Sequence, residues 1–510
     1  MTGLTRRAVL ERLGAATCGV ALPRALSGCA NSVEDRSRLD GGKPSYDTSR
    51  DAASVDGARD GDVALDGLPT ERGLFRLVNQ MNALGPRFTG SPAHARYVQL
   101  LTSGLTSLGL TVERDTKSFL RWSANRWSLV VPSTNEQIPT TSYYPYSGET
   151  PAEGVTARLA YAGTARNPDY AGVRGKLVIL DCPLDPVPLD TLFHVAAAYP
   201  PDAAGTFPKT ATSPTEQLLA APALTGALAA GAVGAILVWT NVSDEEARDQ
   251  YLPFAQPHQG LPALWVGNGA GARLKALAES QTEVTLTLIA DVDPNATTDS
   301  IWATLPGLTN EIIVVNSHTD GTNAVDENGS VAVLAIATAF SLLPLWTRRR
   351  TVVFSLTSGQ LAAGPGNAAA WIRDHGDLVA RTVAAVTIEH CGCMEWSDDT
   401  NGVYRATGRP EPGITMTPLG PEVRIFEAAM LGTANLRMFA MDSTNPYFGN
   451  GAAFFAAGIP TISYVPLPSY LFSAPQNGHI DKLSPSRMAA EVLGFARAIR
   501  LIDRIDAAAL

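Results

Sequence analysis

The sequence predicts an α/β protein: a mostly parallel sheet with helices on both faces, interrupted by a smaller β-rich module. Three observations carry this expectation. From Ser300 onward, short apolar strand patterns at 312–316, 351–356 and 384–389 alternate with helical patterns at 330–343 and 367–374. That spacing suits parallel strands covered by crossover helices. Between residues 150 and 293 the texture changes to short strand patterns, at 158–161, 176–180, 235–239 and 263–266, separated by long Pro-rich loops. Finally, 510 residues with 45% hydrophobic and 17% charged content supply enough apolar surface for several cores and exclude a disordered chain. At roughly 150 residues per domain the length suggests about three units.

The elements follow in order. Thr70 precedes a helical pattern in which Leu74, Leu77, Val78 and Met81 share a face. A second helix is expected over 92–108, closed by Gly109, followed by short strands at 110–112 and 128–131. Within the inserted region one helix is expected over 222–230, with proline at its start and Gly231 just past its end. Two uncharged stretches, 218–239 and 331–346, approach membrane-span length, but Pro222, Gly226, Gly231 and Gly234 break the first and Pro344 the second. Both read as a helix plus a turn or strand in a core.

Ahead of these elements lies an address. Arg6-Arg7 precedes a mildly apolar run over 13–22, and Leu26-Ser27-Gly28-Cys29 follows. The first resembles a twin-arginine export signal and the second the lipobox of bacterial lipoproteins, in which the cysteine is lipidated. The expectation is an exported bacterial protein, either a cell-envelope lipoprotein anchored to the membrane through Cys29 or a secreted one. Residues 30–70 are rich in Asp, Gly, Ser and Arg with few large apolar side chains. They read as a disordered tether. Net charge is −10 and no lysine-rich run occurs, so no nucleic-acid partner is expected. With Cys18 and Cys29 in the leader, Cys182, Cys391 and Cys393 allow at most one bridge, and stability must come from packing.

The chemistry is not that of a familiar local motif. His-Glu-x-x-His, Gly-x-Ser-x-Gly and the Walker loop are all missing, and Gly267-Asn268-Gly269-Ala270-Gly271 lacks the full dinucleotide fingerprint. Metal-type side chains instead cluster after strands: His318 and Asp320 after the 312–316 strand, Asp326 in the next loop, Glu389 at the end of another strand, and His479 in a loop after 461–465. Loops at the carboxyl ends of strands of one sheet converge in space.

Gly85-Pro86-Arg87-Phe88-Thr89-Gly90-Ser91, His318-x-Asp320, Ala324-Val325-Asp326-Glu327-Asn328-Gly329-Ser330, Phe455-x-Ala457-Gly458-Ile459-Pro460 and His479 together resemble the zinc aminopeptidases of the aminopeptidase Y type. That superfamily also holds glutamate carboxypeptidase and transferrin receptor. The resemblance runs from Glu71 to the C-terminus. Gly175-Lys176-Leu177-Val178 and the 229–235 segment resemble a protease-associated domain. The implied organisation is a signal over 1–29, a tether over 30–70, a zinc-exopeptidase-like domain over 71–149 and 294–510, and a protease-associated insertion over 150–293. The resemblance further implies zinc, one or two ions, or none if the fold serves binding alone, with His318, Asp326, Glu389 and His479 as ligands and Asp320 behind them. The substrate it implies is a peptide or a small amide-containing molecule.

One segment departs from that pattern. Relatives carry a Glu-Glu pair, but here Gln360 stands at the general-base position and Leu361 at a ligand position. Gln has no accessible proton equilibrium, and general-base action is worth roughly 10²- to 10⁴-fold. Peptidase action is therefore in question, and transferrin receptor offers the precedent of a binding protein on this fold. Glu327 and His390 are candidate replacement bases. If the 384–389 strand continues, Glu389, Cys391 and Cys393 share a face and His390 points away. Cys391 is then a candidate extra ligand, with a pair of buried thiols as the alternative. The segment 443–448 also differs from relatives.

Overall fold

The computed structural model describes residues 67–216, 224–417, 421–442 and 447–510. The expectations for the leader, Cys29 and most of the tether lie outside the described residues, as do residues 443–446.

A 16-stranded sheet runs through the molecule. The strands used below are β1 (Val112–Val131), β2 (Val155–Thr164), β3 (Leu177–Pro183), β4 (Val195–Tyr199), β5 (Gly234–Thr240), β6 (Ala263–Val266), β7 (Glu283–Leu305), β8 (Thr309–His318), β9 (Arg350–Thr357), β10 (Thr382–Ile388), β11 (Gly413–Met416), β12 (Met438–Met441) and β13 (Thr461–Tyr464). Their order is β6-β5-β3-β2-β7-β9-β8-β10-β13-β11-β12-β4. The helices are α1 (Glu71–Asn82), α2 (Pro92–Ser107), α3 (Asn268–Glu279), α4 (Gly329–Ser341), α5 (Asn367–Asp374) and α6 (Pro485–Arg504). The expected α/β architecture is present.

The middle of the sheet is parallel: β8 pairs in parallel with β9 and β10, and β10 with β13. Such strands are buried on both faces, which is why Ile312, Ile313, Val314 and Val315 form an unbroken apolar run. One face carries α1, α2, α4 and α6 over a core that includes Leu74, Val78, Tyr97, Val315, Ile336 and Phe495. The opposite face packs Val314 and Val353 against Trp302, Trp371 and Phe454. Helix starts follow the chemistry of their caps: Thr70, Ser91 and Ser484 each accept a hydrogen bond from a backbone N–H of the first turn.

Two features depart from the sequence expectation. The short strands expected at 110–112 and 128–131 are the two ends of one strand, β1, of 20 residues, which pairs along most of its length with β7, of 23 residues. Breaks at Phe119/Arg121 and Ala124/Arg126 mark bulges that hide the period-two pattern. β7 also passes unbroken through residue 293. In addition, β4, from the stretch between β3 and β5, crosses to the far edge of the sheet and pairs antiparallel with β12. The 331–346 stretch is helix α4 followed by a turn at Pro344, as expected. No described helix is long and apolar enough to cross a membrane.

Candidate metal centre

Parallel pairing aligns strand ends. His318 closes β8 opposite Thr357, the last residue of β9, and Ile388 closes β10 opposite Tyr464 of β13. Glu389 and His390 come next, so side chains from separate loops meet at one carboxyl edge. Gly329 lets α4 begin against this edge, because a side chain there would strike the Ile388 carbonyl and Ser317.

Hydrogen bonds fix which ring atoms are free. The Nδ1 of His318 lies 2.8 Å from the carbonyl oxygen of Asp320. A carbonyl only accepts, so Nδ1 carries the proton and Nε2 presents a lone pair. That Nε2 faces Glu389 Oε2 at 3.6 Å. His390 repeats the arrangement: its Nδ1 lies 2.7 Å from the Pro466 carbonyl, and its Nε2 faces Asp326 Oδ1 at 3.7 Å. The other oxygens of the two acids are already bound, Glu389 Oε1 accepting from Asn450 N at 2.9 Å and Asp326 Oδ2 from Thr322 N at 2.9 Å.

His318 Nε2, Glu389 Oε2 and His390 Nε2 therefore converge, with Asp326 Oδ1 set against His390 beside them. His318 Nε2, Glu389 Oε2 and Asp326 Oδ1 are buried with no hydrogen-bond partner. One ligand atom from each of His318, Glu389 and His390 lies within 4.8 Å of the others. Burial pushes the Glu389 carboxyl up to about 8 and Asp326 well above the usual range. Burial, with His318 nearby, pushes His390 down to about 3, and burial also lowers His318. Neutral imidazoles beside desolvated carboxylates suit a divalent cation, and the donor set of nitrogen and oxygen suits zinc. The residues fit one such ion.

Continuation of the strand would put Cys391 on the face of Glu389 and turn His390 away, whereas the alternative is a pair of buried thiols. The structure ends the strand and buries both thiols. β10 ends at Ile388, and His390 adopts a left-handed conformation with φ of 54°, so strand alternation stops and Glu389 and His390 both enter the centre. Gly392, at φ 76°, is the sequence signal that this strand had ended. Cys391 is instead buried in the core, its thiol pushed well up by burial and lying beside Glu491. Asn328 clamps the turn, donating from Nδ2 to the Cys391 carbonyl and accepting from its N–H, each at 2.7 Å. Gly392 N donates to Glu491 Oε2 at 2.7 Å, and Arg487 holds Glu491 through a buried ion pair of 2.7 Å.

The other candidate residues take different places. The Asp320 carboxylate accepts from the backbone N–H groups of Gly359 and Leu361 and from the Thr89 hydroxyl. It braces the loop after β9, while its carbonyl orients His318. Gln360 Oε1 accepts from Asn367 Nδ2 at 3.2 Å. Leu361 is buried in an apolar cluster with Trp239, Trp265, Tyr251 and Phe472. Glu327 is ion-paired with Arg87, and its Oε2 has no partner. Burial raises the Glu327 carboxyl, and Arg87 opposes this.

His479 lies apart from the three clustered ligands. Its Nε2 has no partner, and its ring packs against Tyr470 with centroids 5.2 Å apart. It lines a cavity of about 290 Å³ together with Glu245, Glu246, Asp481 and Lys482. Lys482 Nζ sits 4.4 Å from the rings of Trp396 and Tyr404 and 4.6 Å from that of Tyr470.

Among solved structures the chain resembles a peptidase M28 precursor from Shewanella amazonensis SB2B, with a TM-score of 0.62 and 18% identity over 85% of this chain and 93% of that one. BSAP, a zinc aminopeptidase from Bacillus subtilis, gives 0.61 and 16% over 87% and 98%. An aminopeptidase from Aneurinibacillus sp. strain AM-1 gives 0.56 and 17% over 85% and 93%. The fold is that of the zinc aminopeptidases. No family model matches the sequence, and no curated protein does.

Proposed function

We propose that this chain is an exported protein of the zinc-aminopeptidase fold that holds one zinc ion and binds a peptide or small amide-containing ligand, with two-zinc peptide hydrolysis lost. The reading includes a lipid anchor at Cys29, a tether over 30–70 and a protease-associated module over 150–293. The observation that carries it is the contrast between the converging acceptors of His318, Glu389, His390 and Asp326 and the filled position of Leu361. When bound, zinc supplies a Lewis acid able to polarise a ligand carbonyl. Gln360 can donate or accept a hydrogen bond but cannot remove a proton from water. Leu361 offers no ligand atom for a second ion.

Metal analysis of protein produced with export intact tests the reading. One zinc per chain, together with no metal-dependent release from a broad aminoacyl and peptide panel, supports it. Two zinc ions, or rapid chelator-sensitive turnover abolished in His318→Ala, overturns it. Gln360→Glu alone is expected to leave turnover unchanged, because Leu361 still fills the second ligand position.

A second reading is slow single-zinc hydrolysis with Glu327 as base, favoured by its unpartnered, buried Oε2. Turnover that requires zinc and disappears in Glu327→Gln would select it.

A further inference from the structure

We propose that the rim formed by Leu308, Leu342, Leu345 and Trp346 rests on a phospholipid surface. These side chains are 60%, 66%, 47% and 77% exposed. Isolated exposed apolar residues are ordinary, but these form one patch. Leu342 to Trp346 occupy the turn after α4, and Leu308 joins them because its N–H donates to the Arg348 carbonyl at 3.0 Å. The turn is held in shape: Thr347 N donates to Pro344 O, Arg348 N to Leu345 O, and Arg500 to the Thr347 carbonyl at 2.8 Å. Exposure here belongs to a fixed turn.

Where the chain enters the body says what covers the patch. Gly67 lies so tightly against Leu342 and Ala339 that a side chain at 67 would collide with Leu342. The path from Cys29, 37 residues upstream of Gly67 counting those between them, thus meets the folded body at this rim. A lipid at Cys29 would bring this end of the molecule towards the bilayer. The composition suits that position. Tryptophan favours the headgroup boundary, leucine the acyl side, and arginine spans the two. Arg348 and Arg349 follow Trp346 after Thr347, Arg348 also donating to the Phe340 carbonyl at 3.4 Å and Arg349 paired to Asp506 at 2.8 Å. A lipid chain together with an apolar rim on the same side gives two points of attachment to one bilayer.

The inference takes its orientation from the lipid anchor in the proposed function, but the rim can be tested separately. Full-length protein is mixed with phosphatidylethanolamine and phosphatidylglycerol vesicles carrying brominated acyl chains, and tryptophan emission is read while mass spectrometry reports the state of Cys29. The expected result is quenching that is lost in Trp346→Phe. If Cys29 is lipidated and Trp346 makes no contribution to quenching, the proposal is overturned and the anchor stands. If Cys29 is unmodified, vesicle flotation that is lost in a Leu342→Gln, Trp346→Gln variant with unchanged melting still supports the rim. No flotation in that case overturns it. A solution dimer that Trp346→Gln converts to monomer also overturns it, by showing a second copy on the patch.

Discussion

His390 and His479 make an instructive pair. Both sit in left-handed backbone conformations, with φ of 54° and 52°, and burial pushes both imidazoles down to about 3. Yet His390 meets Asp326, Glu389 and His318 at the ends of parallel strands, whereas His479 faces a cavity beside the cation of Lys482. The difference is in the surroundings. A desolvated imidazole beside desolvated carboxylates gives ligands for a metal. The same imidazole beside an ammonium has its charged form further disfavoured, Lys482 adding to the effect of burial.

Metal affinity should separate the two most sharply. His390→Ala is expected to weaken zinc binding by at least about 100-fold, judging from the 10- to 100-fold cost of losing mere supporting residues. His479→Ala should leave it unchanged. Competition against a chromophoric chelator reads both, and equal losses would remove the contrast drawn here.

The turn that aims His390 can be disturbed without touching a ligand. A methyl group at Gly392 would lie 2.9 Å from both Met488 Cβ and the Ser484 carbonyl, at a φ of 76°. Gly392→Ala should cost roughly 1–2 kcal/mol for the left-handed conformation alone. Zinc affinity should fall with it, by less than in His390→Ala. Thermal melting and the same zinc titration should move together. If stability drops while affinity holds, the turn does not position the histidine.

The cavity beside His479 should show itself in pH dependence. Burial, followed by neighbouring Asp398, raises Glu246 from 4.5 to about 8. Between those values the folded state binds more protons than the unfolded one, so stability falls as pH rises through this window. Glu246→Gln should remove a loss of roughly 4 kcal/mol by pH 8, about 3.5 pH units at about 1.4 kcal/mol each, with little effect below 4.5. Denaturant melts at a series of pH values read the slope. An unchanged slope would show that this carboxyl is not held protonated.

Much of the parallel core was legible because burial on both faces leaves long apolar runs, as in Ile312 to Val315. His318, Asp326 and Glu389 could be singled out for a related reason: each follows such a run or lies in the loop after it. The long β1 and β7 pair was not legible, since bulges disrupt its alternation and its exposed faces tolerate polar residues. That His390 accompanies Glu389 was not legible either. Period-two reasoning fails at the first residue that leaves extended conformation, and Gly392 had signalled that such a residue was near.

The sequence by itself determined the class of architecture and the ligand-type side chains, because these follow from hydrophobic period and side-chain chemistry. Only the tertiary structure decided that His390 joins His318 and Glu389, that Cys391 points into the core and that His479 lies elsewhere. Those outcomes depend on the conformation of one turn and on contacts made by Asn328, Glu491 and Arg487, which are distant in sequence, 63 positions for Asn328 to Cys391, 99 for Glu491 to Gly392 and 94 for Arg487 to Cys393. Local pattern carries no record of such contacts, because they form only when distant segments pack.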